Sequence, residues 1–277
     1  MVFIGSHISR EKTLNDTIKK ITDNNGNSLQ IFVSNPRSSN ITPLNPKFFL
    51  NPFLPNNFKL VIHNPYTINL ASPPINNKRQ MELKDCYWIK LILHELMIAN
   101  SLNAIGCIVH TGKSLDKSID FGIENMKLAI SFIIDEIIKN KWNSKLIIET
   151  SSGQGTELLS NYQDFLDFYN SFNNNQKKYF KICIDTCHVW ASGYELKEIF
   201  DITKNNNNLH DIYVIHANNS KNPKNSHIDR HEIINKGFIP LNDIKNFIKE
   251  IYKINHNIII ITEKPSENLN FEFNLFK

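Results

Sequence analysis

Only four cysteines occur in 277 residues, and no two of them form a CxxC pair. Cys86, Cys107, Cys183 and Cys187 lie in or beside apolar segments, so buried, reduced thiols are expected rather than a disulfide framework. No apolar run approaches the roughly 20 residues a membrane span needs. A basic stretch leading into a long apolar one, the mark of a secretory or transit signal, is also missing. These absences lead us to expect an intracellular protein that is not secreted and has no membrane partner; nucleus, cytoplasm and virus particle are not distinguished. Charge of either sign is scarce in excess: 31 Lys and Arg stand against 27 Asp and Glu, giving +4. That balance permits a phosphate-rich partner without demanding one, because placement of charge matters more than its sum. There is no low-complexity tail, internal repeat or convincing linker, so residues 1–277 read as one domain. The asparagine runs at Asn173 to Asn175 and Asn205 to Asn208 look like AT-rich coding sequence and carry little chemistry.

What is present is alternation. Short β-branched runs occupy Val2 to Gly5, Leu29 to Val33, Lys59 to Ile62, Ala104 to Val109, Lys145 to Ile148, Lys181 to Ile184, Asp211 to Ile215 and Asn257 to Thr262. Helical apolar spacing lies between many of them, clearest at Arg79 to Ser101, Ser118 to Lys139, Asn161 to Phe172 and Leu241 to Tyr252. Strands covered on both faces read as continuous apolar runs, and eight of them interleaved with helices fit an α/β fold, a closed parallel (β/α)8 TIM barrel. Such a barrel needs about 250 residues, and an apolar share of 41% supports its core. Pattern alone leaves a doubly wound open sheet as the alternative. Asn35 to Asn57 and Asn218 to Gly237 have little periodicity, and long irregular segments in a compact barrel are more often functional loops than accidents.

Six metal-binding side chains fall at or one step beyond the ends of these runs: His63, His110, Glu149, Asp185, His216 and Glu263. In a TIM barrel the C-terminal strand ends converge on one mouth, where active sites are built. A single such residue reads more simply as a packed histidine or a helix-capping carboxylate. Six in one topological place reverse that preference, since carboxylates buried together are costly unless cations neutralise them. His188, three residues after Asp185, and the alternating pair Asp229 and His231 extend the set. Imidazole with carboxylate suits zinc, with manganese as substitute, and argues against calcium. Nine ligands exceed one tetrahedral ion; three ions sharing a bridging carboxylate fit better. His7 ends the first strand and is placed to orient a ligand from outside the coordination sphere.

The order and spacing of the motifs resemble the endonuclease IV family of apurinic/apyrimidinic (AP) endonucleases over nearly the whole chain. The likeness rests on Gly5-Ser6-His7-Ile8-Ser9, on Gln30-Ile31-Phe32 with Asn35-Pro36-Arg37, and on the run from His63-Asn64-Pro65-Tyr66 to Ser72. It continues through Glu149-Thr150 with Gly153-Gln154-Gly155, Ile184-Asp185-Thr186-Cys187-His188, His216 to Lys221, Asp229-Arg230-His231-Glu232 and Glu263-Lys264-Pro265.

The resemblance implies a zinc-dependent enzyme that cuts duplex DNA 5′ to abasic sites, leaves a 3′-hydroxyl and trims blocked 3′ ends. It implies three zinc ions: one on His63, His110 and Glu149; a second on Glu149, Asp185, His216 and Glu263; a third on His188, Asp229 and His231. Glu149 would bridge two ions and orient the attacking water. Arg37 and Tyr66 would enter the duplex beside the lesion, filling the hole a missing base leaves. Several positions depart from the family pattern: Thr111 and Lys113 replace Pro and Ser, Thr150 an Asn, Ala217 and Asn219 a Leu and an Asp, and Thr67 a Leu. None is an expected ligand, so they bear on how ligands and loops are held more than on reaction class. Two other readings compete: a barrel sugar isomerase or epimerase with one or two ions, and a non-catalytic module that binds damaged DNA. Abasic double-stranded DNA is the expected partner, and the expected working unit is a monomer.

Overall fold

The computed structural model describes residues 2–41, 47–49, 52–76 and 79–277. Its eight parallel strands are β1 (Phe3–His7), β2 (Ser28–Ile31), β3 (Lys59–His63), β4 (Gly106–His110), β5 (Lys145–Glu149), β6 (Phe180–Asp185), β7 (Ile212–His216) and β8 (Ile259–Thr262). They pair in chain order, and β8 returns to β1, which closes a barrel and removes the open-sheet alternative. The helices are α1 (Leu14–Thr22), α2 (Tyr87–Ser101), α3 (Ile119–Lys139), α4 (Tyr162–Asn170), α5 (Asn174–Lys177), α6 (Thr186–Ala191), α7 (Leu196–Asn205), α8 (Leu241–Tyr252) and α9 (Leu269–Asn274).

Two packed regions support this shape. Inside the barrel, Val61, Ile108, Ile147, Cys183, Val214, Ile259 and Ile261 form a buried layer. Outside it, the helices bury their apolar stripes against the strands. In α3 that stripe is Met126, Ala129, Ile130, Ile133, Ile134 and Ile137, and Ser118 caps the helix by accepting the Phe121 N–H at 3.3 Å. In α8 it is Ile244, Phe247, Ile248 and Ile251. Both show the three-and-four spacing of a half-buried helix.

The interior layer decides what the mouth contains. Strand side chains alternate between faces, so the residue two beyond an inward one points inward again. Val61 is followed by His63, Ile108 by His110, Ile147 by Glu149, Cys183 by Asp185, Val214 by His216 and Ile261 by Glu263. One layer of apolar side chains thus floors a layer of ligands. Between the first two strands, a Cβ on Gly5 would lie 1.6 Å from the Ser28 carbonyl oxygen, so β1 and β2 can pair here only around glycine.

The helix expected over Arg79 to Ser101 starts only at Tyr87. Arg79–Gln80 pairs antiparallel with Ile75–Asn76, and Leu83–Asp85 forms a single 3-10 turn before an extended Cys86. The stretch Asn218 to Gly237 is more ordered than its composition suggests, since Asn219–Ser220 pairs antiparallel with His231–Glu232. Of the segment Asn35 to Asn57, residues 42–46 and 50–51 lie outside the described residues.

Candidate metal centre

The ends of β3 to β8 bring six of the nine expected ligands together, and register does much of the work: His110 pairs with Glu149, and Asp185 with His216. Glu149 lies at the centre and is fully buried. Its Oε2 stands 3.5 Å from Nε2 of both His63 and His110, and its Oε1 2.7 Å from His216 Nδ1. His216 Nδ1 also faces Asp185 Oδ2 at 3.6 Å and Glu263 Oε2 at 3.4 Å. Glu149, Asp185, His216 and Glu263 each offer a donor atom within 4.8 Å of the others, as do His63, His110 and Glu149.

The other three ligands come from elements beyond the strands. The short helix α6 follows β6 directly because Asp185 caps it, accepting the N–H groups of Cys187 and His188 at 2.7 and 3.1 Å. That turn aims His188 back over the mouth. His231 lies on, and Asp229 just before, the second arm of the hairpin that pairs Asn219–Ser220 with His231–Glu232. Asp229 reaches His188 Nε2 at 3.4 Å with one oxygen and His231 Nε2 at 3.1 Å with the other. Asp185 also lies 3.5 Å from His231 Nε2, so it stands between this group and the Glu149 group.

Whether these residues suit a cation is testable from their hydrogen bonds. Buried polar atoms in proteins are nearly always paired. Here Glu149 Oε2, His110 Nε2, His188 Nε2 and His231 Nε2 are buried and make no hydrogen bond. The opposite nitrogens of the imidazoles are engaged: His63 Nδ1 donates to the Asn64 carbonyl at 2.8 Å, His188 Nδ1 to the Thr150 carbonyl at 2.8 Å, and His216 Nε2 to Gln30 Oε1 at 2.8 Å. Held from behind in this way, each ring turns its other nitrogen toward the carboxylates, the usual arrangement behind a metal-bound histidine; in the metal-free chain His216 Nδ1 donates to Glu149 Oε1 at 2.7 Å. The donor set fits divalent zinc.

Electrostatics in the metal-free chain say the same. Burial works against charged imidazole, but Asp185 and the other carboxylates outweigh it, so His231 is pushed up to about 9 and His188 well above its ordinary value. His216 rises too, against burial, beside Cys183, Glu263 and Glu149. Burial likewise opposes ionised carboxylate, yet His216 and His110 hold Glu149 well below the usual range, and His216 does the same for Glu263. Protons stand in for cations. His110 and His7 are exceptions, lowered by burial.

His7 lies beside the ligands: its Nδ1 is 3.5 Å from Glu263 Oε1 and 3.0 Å from Gln30 Nε2. Arg37 and Tyr66 occupy adjoining loops at the mouth, both exposed. Tyr66 is 58% exposed yet stands edge-on to His63 and His110, with ring centroids 5.6 and 5.8 Å away. The Tyr66 N–H donates to the Pro36 carbonyl at 2.9 Å and the Thr67 hydroxyl to the Ser38 carbonyl at 2.9 Å, so Arg37 is bracketed by two ties to the Tyr66 loop.

Two of the departing positions, Thr150 and Asn219, find local explanations. Thr150 Oγ1 accepts the Asp185 N–H at 3.0 Å while its carbonyl holds His188. The Asn219 amide binds the carbonyls of Ile234 and Ile239 and the N–H groups of Ser220 and Ile239, fixing the hairpin of Asn219–Ser220 with His231–Glu232. Ala217 and Thr111 are buried, with no distinctive contact from either side chain.

Two polar residues were not singled out by sequence reasoning. Gln30 spans His216 and Glu263, donating to Glu263 Oε1 at 2.7 Å. Asn218 donates to Asp185 Oδ2 at 2.6 Å and Glu263 Oε2 at 3.0 Å. A fully polar amide inside an apolar strand was the available signal for Gln30; nothing marked Asn218 beyond its motif. Cys183 and Cys187, expected only as buried thiols, are buried and free, and also border the centre, Cys183 with Glu149 and His216, Cys187 with Asp229 and His231.

Comparison with known proteins adds an independent line. Residues 18–274 match the AP endonuclease 2 family, described as a xylose isomerase-like TIM barrel. The chain is 30% identical over 289 residues to a probable endonuclease 4 of Clostridium botulinum, covering 100% of this chain and 98% of that protein. It is 30% identical over 293 residues to a probable endonuclease 4 of Sulfurihydrogenibium, covering 100% and 99%. Its fold superposes on the crystal structure of endonuclease IV from Thermus thermophilus with a TM-score of 0.72 at 19% identity, covering 99% of this chain and 97% of the other.

Proposed function

This chain belongs to the endonuclease IV family of AP endonucleases, and from that premise we propose that it is a zinc-dependent DNA-repair enzyme of base excision repair. It hydrolyses the phosphodiester 5′ to abasic sites in duplex DNA, leaves a 3′-hydroxyl and trims blocked 3′ ends. The observation that carries the reading is the set of buried, unpartnered donor atoms on Glu149, His110, His188 and His231, all at one barrel rim. The proposed sites are His63, His110 and Glu149; Glu149, Asp185, His216 and Glu263; and His188, Asp229 and His231. All nine ligands come from one chain, so a monomer suffices. An isomerase with one or two ions would leave the third set without a use.

Zinc, when bound, supplies acidified water near neutral pH and offsets charge on the phosphodiester. The chain's own residues do the rest. Glu149, with oxygens toward both histidine groups, orients the attacking water. His63, His188 and His216 keep their ring orientation through the Asn64, Thr150 and Gln30 contacts. Tyr66 and Arg37, tied together at the rim, fill the space left by the absent base while the sugar turns outward. Incubation with a duplex carrying one tetrahydrofuran abasic analogue tests the proposal: single-site cleavage 5′ to the analogue is expected with zinc, and intact duplex sinks it. Glu149→Gln is expected to lower kcat by at least about a hundredfold; full activity in that variant removes the role given to Glu149.

A further inference from the structure

The loop after β5 holds a carboxylate that belongs to none of the metal groups. Glu157 has a side chain only 12% exposed. Its Oε2 accepts from the Ser151 hydroxyl at 3.2 Å, the Ser152 hydroxyl at 2.9 Å and the Gln154 N–H at 3.1 Å. Its Oε1 faces Lys113 Nζ at 3.4 Å. Lys113 lies three residues beyond the expected ligand His110, and its backbone is fixed on both sides: Asn69 accepts its N–H at 2.8 Å and donates to its carbonyl at 2.9 Å. An antiparallel bridge joins Lys113 to Glu157 directly.

The purpose of so much pairing around one carboxylate becomes visible one step on. Gln154, whose N–H is held by Glu157, turns its side-chain carbonyl to the Asp229 N–H, 75 positions away, at 2.9 Å. Gly153 and Gly155 flank Gln154 with φ of +74° and +65°, backbone that glycine adopts freely and that needs partners to persist as one conformation. The contacts therefore run in a line from Lys113 through Glu157 and Gln154 to Asp229, and from Asp229 to the rings of His188 and His231.

We propose that Glu157, with Lys113 as its charge partner, is a positioning residue that sets the metal affinity of the His188, Asp229 and His231 group through Gln154. This rests on the reading of Asp229 as a metal ligand. With Lys113 half-exposed, the ion pair contributes little by itself. The effect comes from three donors of one loop sharing a single acceptor: without it the loop loses the shape that aims Gln154 at Asp229. Groups that orient ligands from outside the coordination sphere typically change metal affinity by about 10–100-fold when removed.

The test is zinc affinity of the full chain, measured by chelator competition and equilibrium dialysis in wild type, Glu157→Ala, Gln154→Ala and the double variant. In each single variant, one zinc is expected to bind about 10–100-fold more weakly while the others are unchanged. The double variant should be no weaker than the worse single, because both act on one line. Wild-type affinity for every ion in Glu157→Ala, or additive losses in the double variant, overturns the inference. If Glu157→Ala does not fold, Gln154→Ala alone decides, with wild-type zinc affinity counting against. A wild-type chain that binds no third zinc would instead contradict the metal assignment beneath it, so the two failures are separable.

Discussion

His231 in the metal-free chain holds its proton up to about pH 9, because Asp185, Asp229 and Glu263 outweigh the effect of burial. A metal ion must displace that proton and those raised on His188 and His216. The sign follows: protons compete with zinc below about pH 9, so zinc binding near neutrality releases protons, and affinity falls as pH falls. Calorimetry in buffers of different ionisation enthalpy should show net proton release, and release of none would contradict the charge state described. A second buried acid sits away from the centre. Glu95 in α2 is fully buried, bonded to the Ser34 hydroxyl, and burial pushes its carboxyl up to about 7. Its folded-state pKa lies above the unfolded one, so its stabilising contribution is complete below the ordinary carboxylate range and is lost as pH rises through about 7. Every tenfold difference in acidity between the folded and unfolded chain corresponds to roughly 1.4 kcal/mol. Melting temperature should therefore fall with rising pH more steeply in wild type than in Glu95→Gln; parallel curves would contradict it.

At the scale of elements, the strands were legible because burial on both faces makes them continuous apolar runs, and their ends because a His, Asp or Glu follows each of six runs. Helices were legible where the apolar stripe is long, as in α3 and α8. They were not where polar residues dominate: α1 (Leu14-Asn15-Asp16-Thr17-Ile18-Lys19-Lys20-Ile21-Thr22) offers few apolar positions, and its order comes from the Thr13 and Asp16 capping box. The early start expected for α2 came from carrying helical spacing through Met81 and Leu83, where the chain instead turns. Gln30 and Asn218 escaped because a neutral amide is ordinary in sequence and matters only once folding brings carboxylates beside it. The stripe on α3 has a measurable weight. Ile134 is fully buried, and Ile134→Ala should cost about 2–5 kcal/mol in urea unfolding. A loss within about 0.5 kcal/mol, typical of surface sites, would show that α3 is not packed as described.

For the whole molecule, the barrel concentrates Glu149, Asp185 and Glu263 at one end with histidines as their only close cationic partners among the described residues. Bound cations would make such a layout tolerable in a fold whose core is apolar. Binding to the folded state alone raises stability with ligand excess, by about 2.7 kcal/mol at a hundredfold excess over Kd. Chelator-stripped protein should accordingly melt several degrees below the zinc-loaded form, and identical melting would argue that the ions are not held by the folded rim. The central claim, that nine side chains from His63 to Glu263 gather cations at a single mouth, has a more direct test. Anomalous scattering at the zinc edge from crystals of the zinc-loaded chain should show three peaks clustered among those residues, with Glu149 between two of them. Peaks scattered over the surface, or a rim without any, would contradict it.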